Sequence, residues 1–219
     1  MPNAFLFLNG DLHDGSAVRA ALSHATMPNA LIIAADGGLR HVYALGLRPD
    51  LVVGDMDSAD PEQLARAKAE GSHLLTYPVH KDETDLELAV LVALQHGCDQ
   101  LWLLAALGGR LDQTLSNVQL LALPQLEGIR AVLVSGAQTC WLAKPPRTEI
   151  HGQMGDTLSL LPLSAAARGI HTEGLHYPLR GETLHFGTTR GISNVLSAPQ
   201  AQVRFEEGLL LVIHTHGKA

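Results

Sequence analysis

Leu51-Val52-Val53-Gly54-Asp55-Met56-Asp57-Ser58 is the stretch from which the rest of the chain can be read. Its apolar start fits a buried strand, and the glycine breaks it. Asp55 and Asp57 then point the same way if the backbone stays extended, as a pair of metal ligands would. The pattern recurs. Lys81-Asp82-Glu83-Thr84-Asp85 comes after a candidate strand at 73–76, and Gly108-Gly109-Arg110-Leu111-Asp112-Gln113 after one at 101–105. A fourth loop, Asp36-Gly37-Gly38, follows 31–35. Further candidate strands lie at 5–8 and 131–134, with candidate helices at 16–24, 39–45, 61–70, 83–96 and 111–123.

Apolar strands alternating with helices imply a parallel sheet covered on both faces. In such sheets ligands bind outside the carboxyl ends of the strands, so loops far apart in sequence converge on one crevice. After residue 136 the rhythm changes to short alternating runs at 139–142, 157–162, 174–177, 183–186, 193–196, 202–205 and 209–214. The expected fold is therefore an α/β domain over residues 1–136 and an all-β, sandwich-like domain over 137–219.

The bulk properties fit this reading. The chain has 219 residues, 46% of them hydrophobic, enough for a substantial core. Its net charge of −7 leaves no basic footprint for nucleic acid. No apolar run approaches the ~18 residues of a membrane span. Residues 1–10 read as a first strand and not as a signal peptide. Cys98 and Cys140 have no metal-ligand spacing and read as free thiols of a cytoplasmic protein.

Five aspartates gathered at one crevice would repel one another without a cation. Magnesium with a polyphosphate answers that need, because it takes hard oxygen ligands from a few carboxylates and from substrate. Asp55, Asp57, Asp82, Asp85 and Asp112 form the candidate catalytic set, the first four as candidate metal ligands. Asp112 or a neighbour could accept a hydroxyl proton. Asp36, Gly37, Lys81, Thr84, Gly108, Gly109 and Arg110 are candidate ATP contacts. The glycines allow close approach of backbone N–H groups, and the two cations can meet phosphate oxygens. Each loop alone also fits a solvated turn or a helix cap, and Asp82 reads as a good N-cap. The loop around Gly10 and Asp11 reads as a turn rather than a ligand site. His214-x-His216, near the end of the chain, carries little weight as a metal site. There is no P-loop and no dinucleotide fingerprint.

In their order, Ala35-Asp36-Gly37-Gly38, the run from Pro49 to Ser58, Lys81 to Asp85, Gly108 to Gln113 and Gly191-Ile192-Ser193-Asn194 resemble the thiamine pyrophosphokinase family. Gly174 to Leu179 and Gly208 to Ile213 extend the resemblance into the β domain. The resemblance implies transfer of a diphosphate from ATP to thiamine, with AMP released. It also implies Mg2+, and a homodimer with thiamine at the subunit interface. By resemblance, Gln113, Arg190, Ser193 and Asn194 contact thiamine. Gln113 stands where many bacterial relatives carry histidine, which bears on fine substrate contacts. Rival readings are a diphosphotransferase for another hydroxymethyl heterocycle, a haloacid-dehalogenase-type phosphatase and a thiamine-binding protein without activity.

Overall fold

The computed structural model describes residues 2–218. They divide into two compact units, Met1–Gly136 and Ala137–Ala219.

The first unit carries six strands: β1 (Asn3–Phe7), β2 (Ala30–Ala35), β3 (Leu51–Gly54), β4 (His73–Thr76), β5 (Gln100–Leu104) and β6 (Arg130–Ser135). They lie in the order β6-β5-β1-β2-β3-β4, and their pairings are parallel. The order reverses between β1 and β5, the kind of switch point at which a crevice opens. Leu6 pairs in register with Ile33 on one side and Leu103 on the other. All three are fully buried, as the central strands of a two-faced sheet require.

Five helices connect these strands: α1 (Ser16–Ala25), α2 (Leu39–Ala44), α3 (Pro61–Ala69), α4 (Asp85–Gln95) and α5 (Leu111–Gln119). Helix α4 buries Leu86, Leu88, Ala89, Val90, Val92 and Ala93 and packs across β1, β2 and β3. Its apolar residues surround much of its circumference, which suits a helix covered by the sheet and its neighbours. Asp60 caps α3 by accepting from the N–H groups of Glu62 and Gln63 at 2.8 and 3.2 Å, with Pro61 in the first turn. Helix α5 stops short of the expected residue 123. Pro124 disfavours a helical Leu123, and the chain continues in two 3-10 turns, Leu120–Ala122 and Pro124–Leu126.

The second unit is built from two antiparallel sheets. One orders β12 (Asn194–Val195), β9 (Thr157–Pro162), β14 (Leu210–Thr215) and β7 (Gln138–Ala143). The other orders β11 (Arg180–His185), β10 (Ala166–Glu173), β13 (Gln200–Arg204) and β8 (Arg147–His151). Ile150, Ile170, Leu184 and Val203 from one sheet and Leu158, Leu160, Leu210 and Val212 from the other share one core, the arrangement of a sandwich.

Strands β8 and β10 were absent from the sequence expectation. Ile150 is the single large apolar residue of β8, and β10 slips register between Ala167 and Ile170, which breaks the alternation. The expected strand at 174–177 is a loop buckled to β12. His176 N–H donates to the Val195 carbonyl at 2.8 Å, and Tyr177 N–H to Asn194 Oδ1 at 3.0 Å.

Candidate active site

A cleft of about 480 Å3 opens at the carboxyl ends of the parallel strands. Residues following β1, β2, β3 and β5 line it, together with the starts of α4 and α5. Three of the four non-glycine residues with positive φ among the described residues lie at these strand ends: Asp36 (47°), Met56 (66°) and Ala105 (52°). Backbone strain of this kind is held in place by its surroundings and gathers at functional sites.

Oxygens of Asp36, Asp55 and Asp57 lie within 4.8 Å of one another. Asp36 is 5% exposed, and its Oδ1 accepts the Ser58 N–H at 3.2 Å, tying the loop after β2 to that after β3. Asp55 Oδ1 accepts the Asp57 N–H at 3.2 Å. Gly54 makes the approach possible. A Cβ there would lie 3.1 Å from both the Asp36 Cβ and Asp85 Oδ1, and its φ of 144° suits glycine.

Lys81 supplies the positive charge. Its ammonium lies 3.3 Å from Asp55 Oδ2 and 3.1 Å from Asp85 Oδ1. Burial opposes the lysine's charge, yet bonding and attraction to Asp85 and Asp55 hold its pKa above the ordinary lysine value. Burial also acts against the Asp55 carboxylate, but the Asp57 N–H and Lys81 outweigh it and bring its pKa down. Asp85 goes the other way. Burial, with repulsion from Asp55 and Asp36, raises its pKa despite Lys81. Its Oδ1 is buried and, although near Lys81, has no aligned hydrogen-bond donor. Crowded carboxylates with too few donors match a hard cation that takes oxygen ligands. The residues present fit Mg2+.

The opposite wall is the loop after β5. Gly108 and Gly109, with φ of 89° and 64°, line the cleft with Arg110 and Gln113. Asn117 of α5 donates to the Ala106 carbonyl at 2.7 Å and fixes this loop from behind. The first turn of α5 has no side-chain cap from Arg110, whose guanidinium turns instead to Asp112 at 2.6 Å. That ion pair lowers the Asp112 pKa, helped by the Gln113 N–H.

Most of the residues expected from the sequence meet here. Asp36, Asp55, Asp57, Thr84, Asp85, Gly108, Gly109, Arg110 and Gln113 line the cleft. Gly37 is buried in the 3-10 turn after β2, and Lys81 is paired with Asp55 and Asp85. Asp82 is exposed in the bend before α4 and does not line the cleft, and Thr84 rather than Asp82 caps that helix. Asp112 is exposed and paired. Asn9, Gly10 and Asn117 line the cleft without having been singled out as site residues. For Asn9 and Gly10 the signal was available, since their loop also follows a parallel strand.

Arg190, Ser193 and Asn194 belong to the second unit. Arg190 pairs with Glu182 at 3.1 Å. Ser193 has a φ of 57°, and its N–H donates to Ser159 Oγ at 3.0 Å. Asn194 is buried, and its Oδ1 accepts from the Tyr177 and Val195 N–H groups while Nδ2 donates to the Tyr177 carbonyl. The Asn194 side chain thus holds β12 to the 174–178 loop.

Comparison with known proteins agrees over both units. Residues 22–133, just over half of the chain, match the family model of the thiamin pyrophosphokinase catalytic domain, and residues 147–210 match that of the thiamin pyrophosphokinase vitamin B1 binding domain. Thiamine pyrophosphokinase of Bacillus subtilis (strain 168) is 28% identical over 195 residues, covering 89% of this chain and 91% of that protein. Thiamine pyrophosphokinase 1 of Arabidopsis thaliana is 29% identical over 210 residues, covering 84% and 77%. The crystal structure of thiamine pyrophosphokinase from Bacillus subtilis superposes with a TM-score of 0.86 at 25% identity, covering 98% of this chain and 99% of that one. That of yeast thiamin pyrophosphokinase gives 0.82 at 16% identity, covering 98% and 86%, a likeness of fold. On the matched domains and the ordered loops that build its cleft, this chain belongs to the thiamin pyrophosphokinase family.

Proposed function

We propose that this protein transfers a diphosphate from ATP to the hydroxyl of thiamine, giving thiamine diphosphate and AMP, with Mg2+ as the cation. The observation that carries the reading is a single cleft pairing crowded carboxylates with a glycine-rich loop at a helix start. Such transfers depend chiefly on positioning and charge stabilisation.

Asp36, Asp55 and Asp57 would hold the cation, and Asp85 completes the acidic wall. When bound, Mg2+ supplies neutralisation of the polyphosphate charge. Lys81 favours ionised Asp55 and Asp85 and holds their oxygens in place. The N–H groups of Gly108, Gly109 and the first turn of α5 donate to phosphate oxygens. Arg110 exchanges Asp112 for a phosphate as substrate enters, freeing Asp112 to accept the thiamine hydroxyl proton. Asp82, outside the cleft wall, is left out of the cation set.

Gln113 faces the cleft as a neutral donor and acceptor for thiamine. Arg190 and Ser193 offer further contacts from the second unit, and Asn194 maintains the shape of their segment. The homodimer with thiamine at the subunit interface rests on the family resemblance. The exposed Ile192, Phe186 and Tyr177 support such a covered surface in the second unit. Mixing Asp57→Asn subunits with Arg190→Ala subunits restores activity if each site draws on two chains, and leaves it lost if each chain is self-contained. Two buried free cysteines support a reducing, cytoplasmic setting. Among the described residues no helix is long and apolar enough to cross a membrane.

The reaction is tested by incubating the protein with ATP, Mg2+ and thiamine and following phosphorus by NMR. AMP and thiamine diphosphate form in equal amounts on this reading. ADP with thiamine monophosphate would refute it.

A further inference from the structure

Asn9 and Gly10 leave the end of β1 beside the switch point of the sheet, and both line the cleft. Their main chain is tied on two sides. Gly10 N–H donates to the Ala105 carbonyl at 2.9 Å, and Asp11 N–H to the Leu107 carbonyl at 2.9 Å, joining this loop to that after β5. From the other side α2 supplies four bonds. Arg40 donates to Asn9 Oδ1, to the Asn9 carbonyl at 2.8 Å and to the Gly10 carbonyl at 3.0 Å. His41 Nε2 meets the same Gly10 carbonyl at 2.9 Å, and because a carbonyl only accepts, that nitrogen carries the proton.

The Arg40 contact also settles which way the Asn9 amide faces. A guanidinium can only donate, so the atom turned toward it must be the oxygen. Nδ2, which has no acceptor among the described residues, is then turned away from Arg40. The amide lies flat over Gly37. A Cβ at that position would stand 2.5 Å from Asn9 Oδ1 and 2.8 Å from Nδ2, so a larger residue there would displace the amide from this position. This gives Gly37 a reason to be in the site apart from any direct phosphate contact.

We propose that Asn9 is a nucleotide-binding residue whose Nδ2 donates to an acceptor oxygen of ATP, and that Arg40 is the positioning residue that fixes this donor. The inference rests on the diphosphotransfer reading for the identity of the nucleotide. It adds a neutral donor on the β1 side of a cleft whose other contacts come from the loops after β2, β3 and β5 and from the starts of α4 and α5. A neutral amide suits that place, because it can approach an anionic ligand without neutralising the carboxylates that hold the cation.

The test is ATP binding in the presence of Mg2+ and without thiamine, by calorimetry, alongside Michaelis constants for both substrates. Asn9→Asp is nearly isosteric and keeps an acceptor for Arg40, but it replaces the donor with a charged acceptor. ATP affinity falls at least about tenfold, the thiamine constant changes less than about twofold, and melting is unchanged or higher. Asn9→Ala removes both amide atoms without adding charge and lowers ATP affinity at least about threefold. Arg40→Ala lowers it by a similar factor, and Arg40→Lys, which keeps a single donor centre, restores part of the loss. Unchanged ATP binding in Asn9→Ala, or equal losses for ATP and thiamine, overturns the proposal. A wild-type protein that binds ATP but forms no thiamine diphosphate overturns the diphosphotransfer reading instead. If Asn9→Asp does not fold, Asn9→Ala and the Arg40 pair decide the outcome.

Discussion

The chain buries carboxylates in both units and treats them in opposite ways. In the second unit Asp156, 3% exposed, has every need met. Its Oδ1 accepts the Gly217 N–H at 2.7 Å, and its Oδ2 accepts the Gln153 N–H at 2.9 Å and meets His214 Nε2 at 2.8 Å. Burial disfavours its charge, but the two backbone donors and then His214 outweigh that, and its pKa is lowered. The carboxylate ties the turn before β9 to the residues after β14. In the first unit four aspartates share one lysine, a few backbone N–H groups and a serine hydroxyl, and Asp85 keeps a buried oxygen without a donor. A satisfied carboxylate is part of the scaffold. An underpaired group of carboxylates costs stability and is retained for what it will bind.

The largest effect expected from that contrast is on turnover. Asp57→Asn removes a cation ligand and lowers kcat by roughly a thousandfold, about 4 kcal/mol of transition-state stabilisation, read from AMP release at saturating substrates. Asp156→Ala does the reverse. It leaves two backbone N–H groups and His214 without their acceptor and costs about 3–5 kcal/mol of stability, measured by denaturant unfolding of the second unit. If Asp156→Ala were neutral in stability, the contrast would break.

Smaller effects sharpen the comparison. Asp85→Asn lowers activity but relieves repulsion in the metal-free protein, raising the melting temperature by about 2–4 °C for about 1 kcal/mol. That gain depends on pH. A raised folded pKa means that ionised Asp85 costs stability above that value, and the cost disappears as the pH falls through it toward the ordinary 3.8. The melting gap between wild type and Asp85→Asn therefore closes on acidification. Asp156 has the opposite sign. Its lowered pKa gives stability that is present above the ordinary 3.8 and lost as the pH falls through the folded value. Asp156→Ala is consequently most damaging near neutrality.

Much of this was legible in the sequence, and the reasons are particular. Leu51–Gly54 is buried on both faces and Leu101, Leu103 and Leu104 are buried in β5, so their apolar character identifies both runs as strands and the loops after them as one site. Strands β8 and β10 show too few apolar residues, or too irregular a spacing, to be read that way. Arg110 and Asp112 could be placed at the site, but their pairing with each other is a matter of side-chain geometry. Asn194 carries the right functional groups for a ligand, yet the 174–178 loop already occupies its acceptor. The loop at Asn9 is rich in turn-forming residues, which mask the meaning of its position after a parallel strand.

The central claim is that the cleft carboxylates are held apart from full pairing so that they can take a cation with ATP. Thermal melting of wild type and Asp57→Asn, each with and without Mg2+ and ATP, tests it most directly. Asp57→Asn is expected to melt at or above wild type when metal-free, while Mg2+ with ATP stabilises wild type and gives the variant little or nothing. A variant that melts below wild type without metal and still gains the full stabilisation from Mg2+ and ATP would contradict it.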